Sequence, residues 1–190
     1  MDLAPTPSQT VGPYFRIGMT EKHSVPCIAN PKARGERIWL TCYVIDGDGV
    51  GVNDAVVEIW QADGSGKYNH PDDVQEKSCD PECAGFGRMG TEEDGSCVFE
   101  SIKPGRVPGS GDAWQAPHLN LAVYARGMLK QLYTRIYFAG DPANEQDAVL
   151  AMAPAERRET LLAKPDPAHP GHWRFDIHLQ GDRETVFFDI

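Results

Sequence analysis

The stretch WRFDIHLQ, Trp173 to Gln180, decides the reading of the fold, because Trp173, Phe175, Ile177 and Leu179 alternate with Arg174, Asp176, His178 and Gln180. Successive side chains of a β-strand point to opposite faces, so this pattern sets four apolar groups toward a core and four polar ones toward water. Working outward, six more runs read as strands: Ile38 to Asp46, Val56 to Gln61, Ser96 to Ser101, His118 to Ala125, Leu132 to Phe138 and Thr185 to Phe188. Gly (19) and Pro (15) exceed one residue in six of the 190 and fall between these runs. Asp46, Gly47, Asp48 and Gly49 after one run, and Asp94 and Gly95 before another, are turn-forming residues. The expectation is an all-β chain, a β-sandwich of about seven short strands.

Two segments depart from the alternation. Ala143 to Met152 and Pro154 to Leu162 carry good helix formers, with Pro154 where a first turn tolerates it, so short peripheral helices are expected. The first 35 residues are rich in Pro, Thr, Ser and Gly and show no strand pattern, which reads as an extended N-terminal arm lying on the domain or on a neighbour. A single domain over residues 1–190 follows, with the arm at 1–35 and the sandwich at 36–190.

Composition narrows the function. Apolar residues at 41% and charged residues at 24% are those of an ordinary globular protein. Lys plus Arg is 18 against Asp plus Glu 28, a formal charge of -10, the wrong sign for a chain that tracks phosphates, so no nucleic-acid partner is expected. Met1 to Thr10 has neither a basic region nor an apolar run, and no stretch approaches about 18 continuous apolar residues, so neither a secretion signal nor a membrane partner is expected. Five cysteines, Cys27, Cys42, Cys79, Cys83 and Cys97, are odd in number and read as reduced thiols in a cytoplasm.

Few segments carry chemistry on their own. No Gly-x-Ser-x-Gly, P-loop or Gly-x-Gly-x-x-Gly run is present. Cys79 and Cys83 lack a second pair, and the nearest histidine, His70, lies upstream, which leaves a closed zinc site short of ligands. His118 and Asn120, two apart on a strand, point to one face; two imidazoles at that spacing would chelate a metal, but here one is an amide. Tyr68 could offer a phenolate to a hard ferric ion. The ordinary readings are a hydrogen-bonded strand histidine and an amphipathic surface tyrosine. Arg126, followed by Gly127 at a strand end, could grip a carboxylate or simply make an ion pair. In the opening segment Gly12 would let backbone approach a flat ligand and Pro13 would stiffen it.

Six segments in order carry a resemblance: TPSQTVGPY (Thr6 to Tyr14), VEIWQAD (Val57 to Asp63), IKPG (Ile102 to Gly105), APHLN (Ala116 to Asn120), RIYF (Arg135 to Phe138) and ETVFFDI (Glu184 to Ile190). Together they resemble, nearly end to end, the intradiol ring-cleavage dioxygenase family, and within it the α-type chains of members built from two unlike chains. The resemblance implies a β-sandwich bearing helices and long loops. It implies a catechol cleaved by dioxygen between its hydroxyl-bearing carbons, on an Fe(III) held by two tyrosines and two histidines; a ferric ion is a hard acid suited to phenolates.

Mapped onto this sequence, Tyr68 matches one tyrosine ligand and His118 one histidine, while the second tyrosine falls on Val107 and the second histidine on Asn120. The implication is a chain that holds no iron itself and pairs with a homologous β-type subunit that does, in a hetero-oligomer. Thr10, Gly12, Pro13, Tyr14 and Arg126 would line the substrate pocket, with Arg126 toward the carboxylate of protocatechuate and Tyr14 within reach of the partner's displaced tyrosine. Two alternatives stand beside it. One is a self-sufficient dioxygenase using Tyr68, His118 and a further ligand such as His70; the other is a sandwich binding module without catalysis.

Overall fold

The computed structural model describes residues 7–189. Its strands are β1 (Arg37–Ile45), β2 (Val56–Gln61), β3 (Phe86–Gly90), β4 (Ser96–Ile102), β5 (Val107–Pro108), β6 (Trp114–Gln115), β7 (His118–Tyr124), β8 (Leu132–Phe138), β9 (Leu162–Pro165) and β10 (His172–His178). β5 and β6 form a small ribbon, and the other eight follow the order β3-β2-β7-β8-β9-β10-β1-β4. β9 is the corner. It runs parallel to β8 through Tyr137 and Phe138 and antiparallel to β10 through Trp173 and Arg174. The strands before and after it therefore fold face to face.

The core fills the space between those faces. Leu40, Val44, Phe99, Phe175 and Ile177 from one side meet Val57, Ile59, Leu119, Leu121 and Ile136 from the other, all but closed to solvent. Each such side chain contributes about 1.5 to 3 kcal/mol through removal of apolar surface from water. The alternation in β10 is visible here, with Phe175 and Ile177 buried and Arg174 exposed.

The expected extended arm is corrected. Residues 1–6 lie outside the described residues, and residues 13–20 form a helix, α1 (Pro13–Thr20), with Gly12 as its N-cap. Proline at the first helical position costs no hydrogen bond and presets φ, so the Gly-Pro pair that reads as irregular opens a helix. α1 docks through Phe15, whose ring lies 5.3 Å from that of Tyr124, and through Arg16 Nη2, which donates to Thr91 O at 2.8 Å. Further on, residues 25–29 are extended but stitched in. Val25 pairs with Arg88 of β3 and Cys27 with Glu100 of β4, so one segment spans the two terminal strands and brings the assembly close to a barrel.

Other expectations shift as well. β3, β5, β6 and β9 lie outside the expected runs, because β3 holds two glycines and no apolar alternation, β5 and β6 are two residues each, and β9 is four residues ending in proline. The segment Thr185 to Phe188 is no strand. Phe188 makes an isolated bridge to Tyr133, and Val186 and Thr185 are tied by the hydroxyls of Thr134 and Thr185 instead of a ladder. Of the two expected helices, the first divides into a 3-10 turn (Pro142–Gln146) and α2 (Ala148–Met152), and the second is a 3-10 turn (Ala155–Leu161) whose last expected residue, Leu162, begins β9. Asp147 caps α2 by accepting from Val149 N at 2.9 Å and Leu150 N at 2.8 Å, which divides the segment there.

Candidate functional site

One face of the β2-β7-β8 sheet carries an unusual row. Trp60, Asn120 and Arg135 are direct cross-strand neighbours, and His118 and Tyr137 pair one step along on the same face. The opposite face, with Ile59, Leu121 and Ile136, belongs to the core. The loop after β2 folds back over this row and brings Tyr68 onto Trp60, ring centroids 6.1 Å apart and nearly parallel.

Two acids shape that loop. Asp63 is buried and accepts from Ser65 N at 2.8 Å, Ser65 Oγ at 2.7 Å, Lys67 N at 3.0 Å and Asp80 N at 2.8 Å. Asp73 accepts from Tyr68 N at 2.8 Å. Burial pushes the Asp73 carboxyl up, yet hydrogen bonds from Tyr68, Gln75 and Lys67 outweigh that and hold it at about 2. Two glycines then set the loop against the one before β5. Gly66 has φ +79, and a Cβ there would lie 1.9 Å from Arg106 O; a Cβ on Gly105 would lie 2.6 Å from Gly66 N. Backbone against backbone, they bring Tyr68 and Val107 to one cleft of ≈ 410 Å³, lined also by Trp60, His70, Pro108 and Gln115.

Next to Tyr68, His118 Nδ1 lies 2.8 Å from Ala116 O. A carbonyl can only accept, so Nδ1 carries the proton and Nε2 is the acceptor facing Tyr68 Oη at 3.4 Å. Tyr68 Oη in turn accepts from Asn120 Nδ2 at 3.3 Å. Burial drives the imidazole down to about 4, with the charge of Arg135 pressing in the same direction. Burial raises the Tyr68 phenol, partly offset by the Asn120 hydrogen bond. Near neutral pH the pair is thus an uncharged phenol against an uncharged imidazole.

The sequence-expected residues fall into two groups. Tyr68 and Val107 line this cleft, and His118 and Asn120 adjoin it through the Tyr68 hydroxyl, but Val107, 4% exposed, has no donor atom, and Asn120 offers an amide already directed at Tyr68. A phenol, an imidazole and an amide beside a guanidinium do not fit a ferric ion. His70 stands on the cleft wall, edge-on to Trp60, and makes no hydrogen bond to Tyr68 or His118.

The second group lies past the other end of β7. Thr10 Oγ1 accepts from Gly127 N at 2.7 Å, which fastens the opening segment to the turn that carries Arg126. The Arg126 side chain is 70% exposed, with Nε 3.4 Å from Asp54 Oδ2. Gly12 and Pro13 open α1, and Tyr14 is 85% exposed. From His118 to Tyr124 is six strand steps, roughly 20 Å. Arg126 cannot reach the cleft of its own chain.

Arg135, Gln115 and Asp54 were not singled out from the sequence. Arg135 is legible in the sequence, since on a strand an arginine between the buried Thr134 and Ile136 shares a face with Tyr137. Gln115 and Asp54 sit in a two-residue strand and a turn, where no periodicity signals a face.

Known proteins similar to this chain share one family. The Dioxygenase family model matches residues 10–181. The protocatechuate 3,4-dioxygenase alpha chain of Burkholderia cepacia is 44% identical over 201 residues, covering 99% of this chain and 98% of that one. The protocatechuate 3,4-dioxygenase beta chain of the same organism is 34% identical over 165 residues, covering 83% of this chain and 70% of that one. Among solved structures, the dioxygenase domain of a dioxygenase carbohydrate-binding fusion from Streptomyces sp. SirexAA-E superposes with a TM-score of 0.62 at 26% identity, over 96% of this chain and 100% of that one.

Proposed function

The chain belongs to the intradiol ring-cleavage dioxygenase family, and on that premise we propose that it is the α-type subunit of a protocatechuate 3,4-dioxygenase. In this reading it pairs with a homologous β-type chain, and together they cleave protocatechuate with O2 to 3-carboxy-cis,cis-muconate. Fe(III), expected on the β-type partner, supplies the activation of the catecholate. This chain supplies a wall of the pocket.

The observation that carries the reading is the separation of the two groups. Arg126 and Thr10 lie roughly 20 Å along β7 from Tyr68 and His118. A substrate held by Arg126 therefore reacts in another chain's pocket. Arg126, 70% exposed, is suited to take a ring carboxylate through two N–H donors. On a chain of net charge -10, that guanidinium is a local positive field for an anionic substrate. Tyr14 offers a hydroxyl at the same surface.

The test is co-expression with the β-type partner, followed by metal analysis and mass of the purified complex. One iron per αβ pair, with visible ferric-phenolate colour only when the partner is present, is the expected result. A coloured, iron-bearing, ring-cleaving homo-oligomer of this chain alone would overturn it.

A further inference from the structure

The cleft around Tyr68 and His118 carries a fixed positive charge that the proposed role does not use. Arg135 stands opposite Asn120 across the β7-β8 ladder. Its Nη1 donates to Gln115 Oε1 at 2.6 Å and lies 3.5 Å from Tyr137 Oη. Both braces are themselves held. Gln115 Nε2 donates to Pro108 O at 2.9 Å, in the ribbon that carries Val107, and Tyr137 Oη donates to Asp147 Oδ1 at 3.1 Å. Arg135 thus spends its hydrogen bonds on neutral oxygens, and among the described residues no carboxylate forms an ion pair with it, Asp147 being reached only through the Tyr137 hydroxyl.

We infer that Arg135 is what closes this pocket to metal cations: a braced guanidinium stands beside the positions of Tyr68, Val107, His118 and Asn120, so donor atoms restored at Val107 and Asn120 do not by themselves restore metal binding. The inference rests on reading those four residues as ligand positions of the family. A guanidinium does not lose its proton in a protein, so the charge cannot be titrated away. Like charges a few ångströms apart in a partly buried site repel strongly. Moving the side chain out would break its bonds to Gln115 and Tyr137 together.

The experiment uses the complex with the β-type partner, whose iron content is the baseline. Two variants of this chain are compared, Val107→Tyr with Asn120→His, and the same pair with Arg135→Gln added. The double variant is expected to stay at baseline, and the triple to approach one additional iron per pair with its own ferric-phenolate band, roughly a tenfold rise in occupancy of this site. Arg135→Lys in the double background, which keeps a charge, is expected to stay at baseline. Equal loading of double and triple variants overturns the inference, and so does failure of both to load while folded by circular dichroism.

Should Val107→Tyr prevent folding, Asn120→His alone gives three donors. It is titrated with Co(II) with and without Arg135→Gln, and equal affinities again overturn the inference. Iron on this chain in the wild-type complex would instead remove the proposed α-type role, a separate result read from the baseline sample.

Discussion

Asp147 takes the amide hydrogen of Ala116, 31 residues earlier in the chain, on Oδ2 at 2.7 Å. Its other oxygen accepts from Tyr137 Oη at 3.1 Å and from the first turn of α2. One buried carboxylate therefore joins a helix cap, the entry to β7 and the hydroxyl beside Arg135. Asp147→Ala leaves several donors unpaired at once, and we expect a loss of about 3 kcal/mol, seen as a lower urea midpoint with unchanged slope. A change under about 0.5 kcal/mol would show that water replaces the carboxylate there.

Gly66→Ala separates two backbone effects. The residue has φ +79 and a Cβ would meet Arg106 O at 1.9 Å, whereas Gly140 has φ +81 and open space around it. Gly140→Ala is expected to cost about 1 kcal/mol of conformational strain alone. Gly66→Ala is expected to cost about 2 kcal/mol more and to change the fluorescence of Trp60 as Tyr68 lifts from its ring. Equal costs at the two sites would mean that the loops slide apart freely.

His118 should make stability fall in acid. Its ordinary value is 6.5 and burial takes it to about 4 in the folded chain, so between those limits the unfolded chain binds the extra proton. Stability is then full above about pH 6.5 and is lost as pH falls toward about 4, by about 3 kcal/mol in all. Denaturation from pH 7.5 to 4.5 should show this slope in the wild type and a shallower one in His118→Gln. Parallel slopes would remove His118 as its source.

In the assembled enzyme, Arg126→Ala should raise KM for protocatechuate by the worth of a charge-assisted contact, about 1 to 3 kcal/mol, while iron content and kcat change little. Asp54→Asn, which keeps the shape of the group beside Arg126 Nε but not its charge, should raise KM less. An unaltered KM for Arg126→Ala would remove that residue from the pocket.

The sequence was most informative where both period and burial were simple. Trp173 to Gln180 alternates because one face meets Phe99 and Ile136 in the core and the other meets water, and that is enough to assign a strand. β3 escaped because Gly87 has no room for a side chain, its Cβ falling 2.7 Å from Ile28 Cγ1, so the close approach that requires glycine erases the strand signal. α1 escaped because its first turn is capped by backbone alone. In the site, identities at Tyr68, Val107, His118 and Asn120 could be read one by one. Their electrostatic setting could not, because it depends on Arg135 meeting Asn120 across two strands and on Gln115 bracing it from a third.

The segment of residues 25–29 has a consequence for how two such chains can recognise each other. By occupying the hydrogen-bonding groups of Arg88 in β3 and Glu100 in β4, it interrupts the ladder that these two rims would offer a foreign strand. Pairing of unlike subunits is then better written in side chains, in loops and in α1, where sequences can diverge. Two proteins of one architecture can in this way keep distinct partners without zipping into indiscriminate fibres.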